Sequence, residues 1–304
     1  MRIRAGFEIS YECAGPTPMV LMLNVRPERA HDLETLDVLH SRPDAQLRQY
    51  VDAFGNICSR VLAPGGRTTF SADFLIRDSG RPDPVIATAA QHAIEDLPDE
   101  VVQFLLPSRY CDLELLAHIA WEQFARVEPG WARVQAIVDY AHQRIEFGYP
   151  HARSTRTATE AYFERRGVCR DYAHLAIALC RSMNIPARYC TGYLGDIGVP
   201  AMDAPMDFSA WFEAWLGGAW RTFDARHNTQ RIGRILMAVG RDAADVAIST
   251  SFGAAKLVGF EVRTVEAEEL APTMVAPRGQ GPAAAARRGP CPDGGISCPD
   301  ARSQ

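Results

Sequence analysis

Apolar and polar residues alternate over the first part of the chain and then give way to a helical period. Residues 2–12 alternate through Ile3, Ala5, Phe7, Ile9 and Tyr11, the two-residue repeat of a half-buried strand. Residues 19–25 form a short apolar run behind a proline-rich turn. Residues 50–61 read as a hairpin about Gly55-Asn56, and a turn at Pro64-Gly65-Gly66 leads into a strand over 68–76. Several short strands with regular turns predict an antiparallel, sandwich-like domain over residues 1–106. That segment carries no catalytic constellation.

A polar, proline-rich stretch over 77–84 precedes the change of period. Residues 112–124 place Leu115, Leu116, Ile119, Ala120 and Phe124 on one helical face, and 131–145 repeat through Trp131, Val134, Ile137, Val138, Ala141 and Ile145. A third helix is expected from Gly167 to about Met183, with Ala173, Ala176, Ile177, Cys180 and Met183 turned inward. Asn184-Ile185-Pro186 ends it, because proline disfavours the helical region for the residue before it. A strand over 186–194 and a loop over 195–206 follow. These elements define a core over 107–268. Residues 269–304 are dominated by Pro, Gly, Ala and Arg, a composition too poor in apolar area to offset its ordering entropy, so a disordered tail is expected.

Composition narrows the function. The 304 residues are 47% hydrophobic and 23% charged, which suits a globular protein with a substantial core. A net charge of −5 opposes phosphate neutralisation and argues against a nucleic-acid partner. No run of 18 or more apolar residues predicts a membrane span, and the start of the chain has no apolar signal region. A cytoplasmic protein without a membrane partner is the resulting expectation. Lys256 is the only lysine, so the chain offers little to a reaction that consumes lysine amines. The eight cysteines include no CxxC pair and hence no zinc framework. Cys291 and Cys298 fall in the tail and read as bystanders, with a redox-labile or metal-binding role as the alternative. Nothing calls for a metal or an organic cofactor, and no acidic loop pattern suggests calcium.

Two segments carry candidate chemistry. In Gly167-Val168-Cys169-Arg170-Asp171, the cysteine opens a helix. Unpaired N–H groups and the macrodipole at that end favour a thiolate, and Arg170 adds positive charge. A lone cysteine in such a place reads more often as a buried structural thiol, and the rest of the segment shifts that balance. Cys180, mid-helix on the apolar face, reads as packing. The second segment, residues 207–226, forms two strands about Gly217-Gly218. That register sets Trp215 against Trp220 and Glu213 against Thr222. Ser209, Trp211, Glu213, Trp215, Asp224 and Arg226 then share one face, and Ala210, Phe212, Ala214 and Leu216 share the core face. Ser209 and Asp224 become diagonal neighbours within side-chain reach.

Together, residues 107–112, 167–194, 207–216, 222–228 and 231–253 resemble the transglutaminase-like superfamily, in particular its bacterial members with a β-rich N-terminal domain. The resemblance implies an α+β fold, a papain-like transglutaminase core behind the β-sandwich-like domain. It implies a cysteine protease, amidase or acyl-transferase acting on a peptide or protein substrate through an acyl-thioester. Cys169 matches the family's nucleophile and Asp224 its triad acid. The family's histidine falls where this chain has Ser209. A hydroxyl cannot take up and hold a proton near neutral pH. Losing the imidazolium should also raise the thiol's proton affinity.

Three histidines could substitute. His227 is close to Asp224 in sequence, but the hairpin register opposes it to Phe208 and turns it to the core unless the strand kinks. His174 lies five residues past Cys169, about 140° off its helical face, and reads as structural. His151 is unconstrained by the pattern. The backbone N–H of Cys169 would serve as an oxyanion donor, and Trp211 could line an acyl-donor groove or simply pack in the hairpin. Two readings remain: an active cysteine enzyme, or a degenerate core retained as a peptide-binding or scaffold module.

Overall fold

The alternation of the first strand is what founds the fold. The computed structural model describes residues 1–201 and 206–267. In it β1 (Arg2–Cys13) buries Ile3, Ala5, Phe7, Ile9, Tyr11 and Cys13 on one face. Next come β2 (Thr17–Leu21), β3 (His40–Arg42), β4 (Arg48–Val51), β5 (Ile57–Ala63) and β6 (Gly66–Arg77). The inner face of β6 supplies Phe70, Ala72, Phe74 and Ile76, which join Met19, Leu21 and Val61 in one apolar cluster. The β4–β5 hairpin differs from the sequence expectation. Val51 pairs with Ile57, so the loop is residues 52–56. Asp52 closes it, its Oδ1 accepting the N–H groups of Phe54 and Asn56 at 2.8 Å.

Five α-helices follow among the described residues: α1 (Asp99–Val102), α2 (Ala117–Phe124), α3 (Trp131–Arg144), α4 (Ala158–Glu164) and α5 (Cys169–Ser182). The period predicted α3 and α5 closely. The second helix starts only at Ala117, which leaves Leu115 on the preceding turn and 56% exposed. Helix α5 is buried on every side from Asp171 to Ser182, as befits the central element of the core. A short parallel pair, β7 (Glu146–Phe147) with β8 (Arg166–Gly167), lies just ahead of it.

The core sheet is formed by β9 (Ala187–Tyr193), β10 (Ser209–Leu216), β11 (Ala219–Phe223) and β12 (Ile235–Gly240), in the order β11-β10-β9-β12. The β10–β11 register is the expected one, with Trp215 opposite Trp220 and Glu213 opposite Thr222. Ala210, Phe212, Ala214 and Leu216 pack with the helices. The chain then returns to the first domain. β13 (Ser249–Ser251) pairs with β2, and β14 (Ala255–Glu266) pairs along the whole of β1. The two sandwich sheets are therefore β14-β1-β6-β3 and β13-β2-β5-β4. Sequence patterning groups residues 249–266 with the core, whereas their hydrogen bonds complete the sandwich.

Gly192, on β9, is paired with Ser209 at the start of β10. A Cβ there would lie 2.0 Å from Ile235 O and 3.0 Å from the Trp211 ring. Backbone on the far side cannot yield, so Gly192→Ala is expected to cost about 1–3 kcal/mol or more by overpacking. The urea midpoint measures it, and an unchanged midpoint would mean that β9 and β12 separate freely.

Candidate active site

Cys169 stands at the first position of α5 because the chain before it is tightly tied. Asp171 is buried, and its Oδ2 accepts the Val168 N–H at 2.9 Å and an Arg156 Nη1 hydrogen bond at 2.9 Å. A Cβ at Gly167 would fall 2.6 Å from that same oxygen, so the glycine before the helix is a packing requirement. As the first helical residue, Cys169 presents a backbone N–H with no partner in a preceding turn.

Of the six cysteines among the described residues, only Cys169 is partly exposed. It lines a cavity of about 490 Å³ together with Tyr149, Asp207, Ser209, Arg226 and His227. Burial pushes the thiol up to about 11, against the opposing pull of Arg226 and the Ala210 N–H, while Asp207 and Asp224 add to the rise. The resting sulfur is a neutral thiol that needs a base to take its proton. Burial also raises the Asp207 carboxyl above the usual range, opposed by the Phe208 N–H and Arg226.

Ser209 lines the same cavity, and its Oγ is buried without a hydrogen-bond partner among the described residues. It does not bond to Asp224. The acid is taken up elsewhere, because β11 ends at Phe223 and the next four residues form a turn. Asp224 Oδ1 accepts the N–H groups of Arg226 at 3.1 Å and His227 at 3.0 Å, and its backbone carbonyl accepts from Asn228. This side-chain-capped turn folds His227 back over its own cap. His227 Nδ1 reaches Asp224 Oδ2 at 2.8 Å. The sequence register, which opposed His227 to Phe208 and sent it to the core, fails because the strand stops before reaching it. Its other ring nitrogen, Nε2, makes no hydrogen bond among the described residues, and none joins the Cys169 sulfur to an imidazole.

Asp224 is buried and ionised. Burial alone would raise its carboxyl, but Arg234 and His227 together hold it well below the usual carboxylate range. Arg234 Nη2 donates to Asp224 Oδ2 at 2.8 Å, and Arg234 Nε donates to Asp83 Oδ2 at 2.8 Å. From the helical side, His142 Nδ1 meets the Ala225 carbonyl at 3.1 Å.

The remaining candidates lie elsewhere. Trp211 is buried beneath the Arg234 guanidinium, 5.0 Å from ring centre to Cζ, and packs with Cys190 and Val239. It is not in the wall of the Cys169 cavity; it borders a separate one with Arg188, Glu213 and Arg234. His174 is wholly buried, stacks on Tyr110, and accepts the Ala243 N–H at Nε2. Burial drives its protonation well below the ordinary imidazole range, with Arg170 and Arg181 acting in the same direction. His151 lies on a short turn after Gly148, outside the cavity wall. Cys291 and Cys298 lie outside the described residues. Sequence reading did not single out Arg234 or Asp83. The one local clue to the turn was the spacing of Asp224 and His227, three residues apart, as an acidic turn cap and the residue it folds back.

Comparison with known proteins agrees with this architecture. The profile of the transglutaminase-like superfamily matches residues 118–225, which takes in Cys169, Ser209 and Asp224 and stops short of His227. A crystal structure from Cytophaga hutchinsonii, named "Putative Cysteine Protease", is 30% identical with a TM-score of 0.75, over 87% of this chain and 90% of that one. An uncharacterized protein of Mycobacterium leprae is 27% identical over 226 residues, 70% of this chain and 78% of its own length. Another from Mycobacterium tuberculosis is 34% identical over 222 residues, covering 64% and 68% respectively.

Proposed function

This chain belongs to the transglutaminase-like superfamily, and from that premise we propose that it is a cysteine enzyme of amide bonds in which His227 replaces the family's imidazole. The observation that carries the reading is the 2.8 Å contact of His227 Nδ1 with Asp224, in a residue that shares a cavity wall with Cys169. Asp224 fixes the ring and stabilises the imidazolium, as the acid of a triad does.

The steps follow from the neutral thiol. An amide carbonyl enters beside Cys169. His227 takes the thiol proton as sulfur adds to carbon, and the Cys169 N–H donates a hydrogen bond to the developing oxyanion. The C–N bond breaks, the imidazolium returns its proton to the leaving amine, and an acyl-thioester remains. Water then gives hydrolysis, or a second amine gives transfer. Ser209 shapes the cavity where the family has its base and takes no proton.

A second reading is favoured by the raised thiol and by the absence of a sulfur–imidazole hydrogen bond among the described residues. In it the cavity binds a peptide without turnover. One experiment separates the two. Exposed to p-nitrophenyl acetate, the wild-type chain is expected to release a burst of p-nitrophenol and to carry one acetyl group on Cys169 by peptide mass mapping. Cys169→Ala should show neither. An unmodified Cys169 in the wild type, together with acetylation gained in Ser209→His, supports the degenerate module.

A further inference from the structure

We propose that Asp83 and Arg234 are positioning residues for the Asp224–His227 pair, with Asp83 acting through Arg234. The proposal rests on the reading of His227 as the base. Its geometry is continuous: Asp83 Oδ2 accepts from Arg234 Nε at 2.8 Å, and Arg234 Nη2 donates to Asp224 Oδ2 at 2.8 Å. That oxygen is the one His227 Nδ1 meets at 2.8 Å. One carboxylate oxygen thus serves two partners, a permanent cation and the imidazole.

Charge counting gives the consequence. Arg234 alone would neutralise Asp224 and leave nothing to favour an imidazolium. Asp83 adds a second carboxylate, so the trio of Asp83, Arg234 and Asp224 keeps one negative charge for His227. The arrangement is held firmly. Arg234 is 8% exposed at its side chain and covers the Trp211 ring. Asp83 is pinned by the backbone, its Oδ2 accepting the Arg231 N–H at 3.0 Å and its own N–H donating to the Arg231 carbonyl at 2.9 Å. Low dielectric around Arg234 makes the division of charge matter more than it would in water. Asp83 lies in the proline-rich segment between β6 and α1, which by this account also tunes the site.

Other charged groups surround the pair, and of these Arg231 also touches Asp83, through its backbone. Arg226 adjoins Asp224 in the turn, and Arg231 stands nearby with Asp196 as its partner. Asp207 and Cys169 line the same cavity as His227, while α3 brings His142 to the Ala225 carbonyl and Asp139 to Asn228.

The test uses the full-length chain with Asp83→Asn, which keeps shape and an acceptor oxygen but removes the charge, and Asp83→Glu, which restores it. Two readouts are taken: imidazole ¹⁵N shifts of His227 against pH, and the pH profile of acyl transfer resolved into kcat and KM. In Asp83→Asn the ring is expected to titrate at lower pH than in wild type. The acid limb of kcat should move with it, kcat should fall about ten- to a hundredfold, and KM should hold within a factor of two. Asp83→Glu should recover most of kcat. An unchanged ring titration overturns the proposal, as does a loss in kcat and KM together that Asp83→Glu does not repair. The ¹⁵N titration needs no turnover, so it decides the role of Asp83 even if the wild type forms no acyl-enzyme, which would sink only the base assignment.

Discussion

His227→Ala slows acylation of Cys169 by about 10²–10⁴-fold while leaving the thermal midpoint within a few degrees of wild type. The rate loss follows from the state of the sulfur. With the thiol pushed up to about 11, spontaneous ionisation supplies little nucleophile at neutral pH, and a positioned base must remove the proton during attack. The fold tolerates the loss because His227 is a cavity residue at the surface of the core. Asp224 keeps its other partners, Arg234 and the Arg226 N–H. Burst kinetics with p-nitrophenyl acetate give the rate, and Cys169→Ala sets the floor. Adding Ser209→His to His227→Ala is expected to recover part of the loss, since position 209 is where the family carries its imidazole. An undiminished burst in His227→Ala would remove His227 from the chemistry.

The second large effect is on stability. Asp224→Ala is expected to cost about 3 kcal/mol, because it leaves the buried Arg234 Nη2 without its acceptor, Asp83 still pairing Nε, and unties the turn at the end of β11. Asp224→Asn should cost less, as it can still accept hydrogen bonds. The pH dependence has a definite sign. The folded carboxyl sits below its ordinary value of about 3.9, so the unfolded chain binds this proton more readily. The stabilisation is therefore complete above about pH 4 and is lost as pH falls further toward the folded value. Urea midpoints at pH 7 and pH 3 should show the wild-type advantage over Asp224→Ala shrinking at the lower pH. A constant gap would mean that packing, not charge, accounts for the difference.

What could be read from the residue pattern was whatever depends on short-range periodicity. Strand β1, helices α3 and α5 and the β10–β11 register follow from alternation, 3.6-residue spacing and the Gly217-Gly218 turn. The position of Cys169 at a helix start was likewise visible. Long-range pairing was not: nothing local in residues 255–266 announces β1 as their partner. The site failed at one point for a specific physical reason. The register was extended through residues 224–227 as a strand, but an aspartate able to cap its own turn ended the ladder and reversed His227. The helix-end argument for a thiolate left out burial, which pushes the Cys169 thiol up to about 11. Trp211 was assigned to the correct face of its strand, yet there it lies under Arg234 and borders a different cavity from the one that Cys169 lines.

The return of the last strands to the first has a bearing on biosynthesis. Residues 2–13 find one neighbour in β6 early, but their other neighbour, residues 255–266, leaves the ribosome only after the whole helical core. At about 5–20 residues per second, that edge of β1 stays open for roughly ten seconds or more. An exposed edge is a template for pairing with other chains. Translation speed and chaperone cover across the middle of the message therefore bear on the yield of folded protein, through a sheet whose two halves are made at opposite ends of the chain.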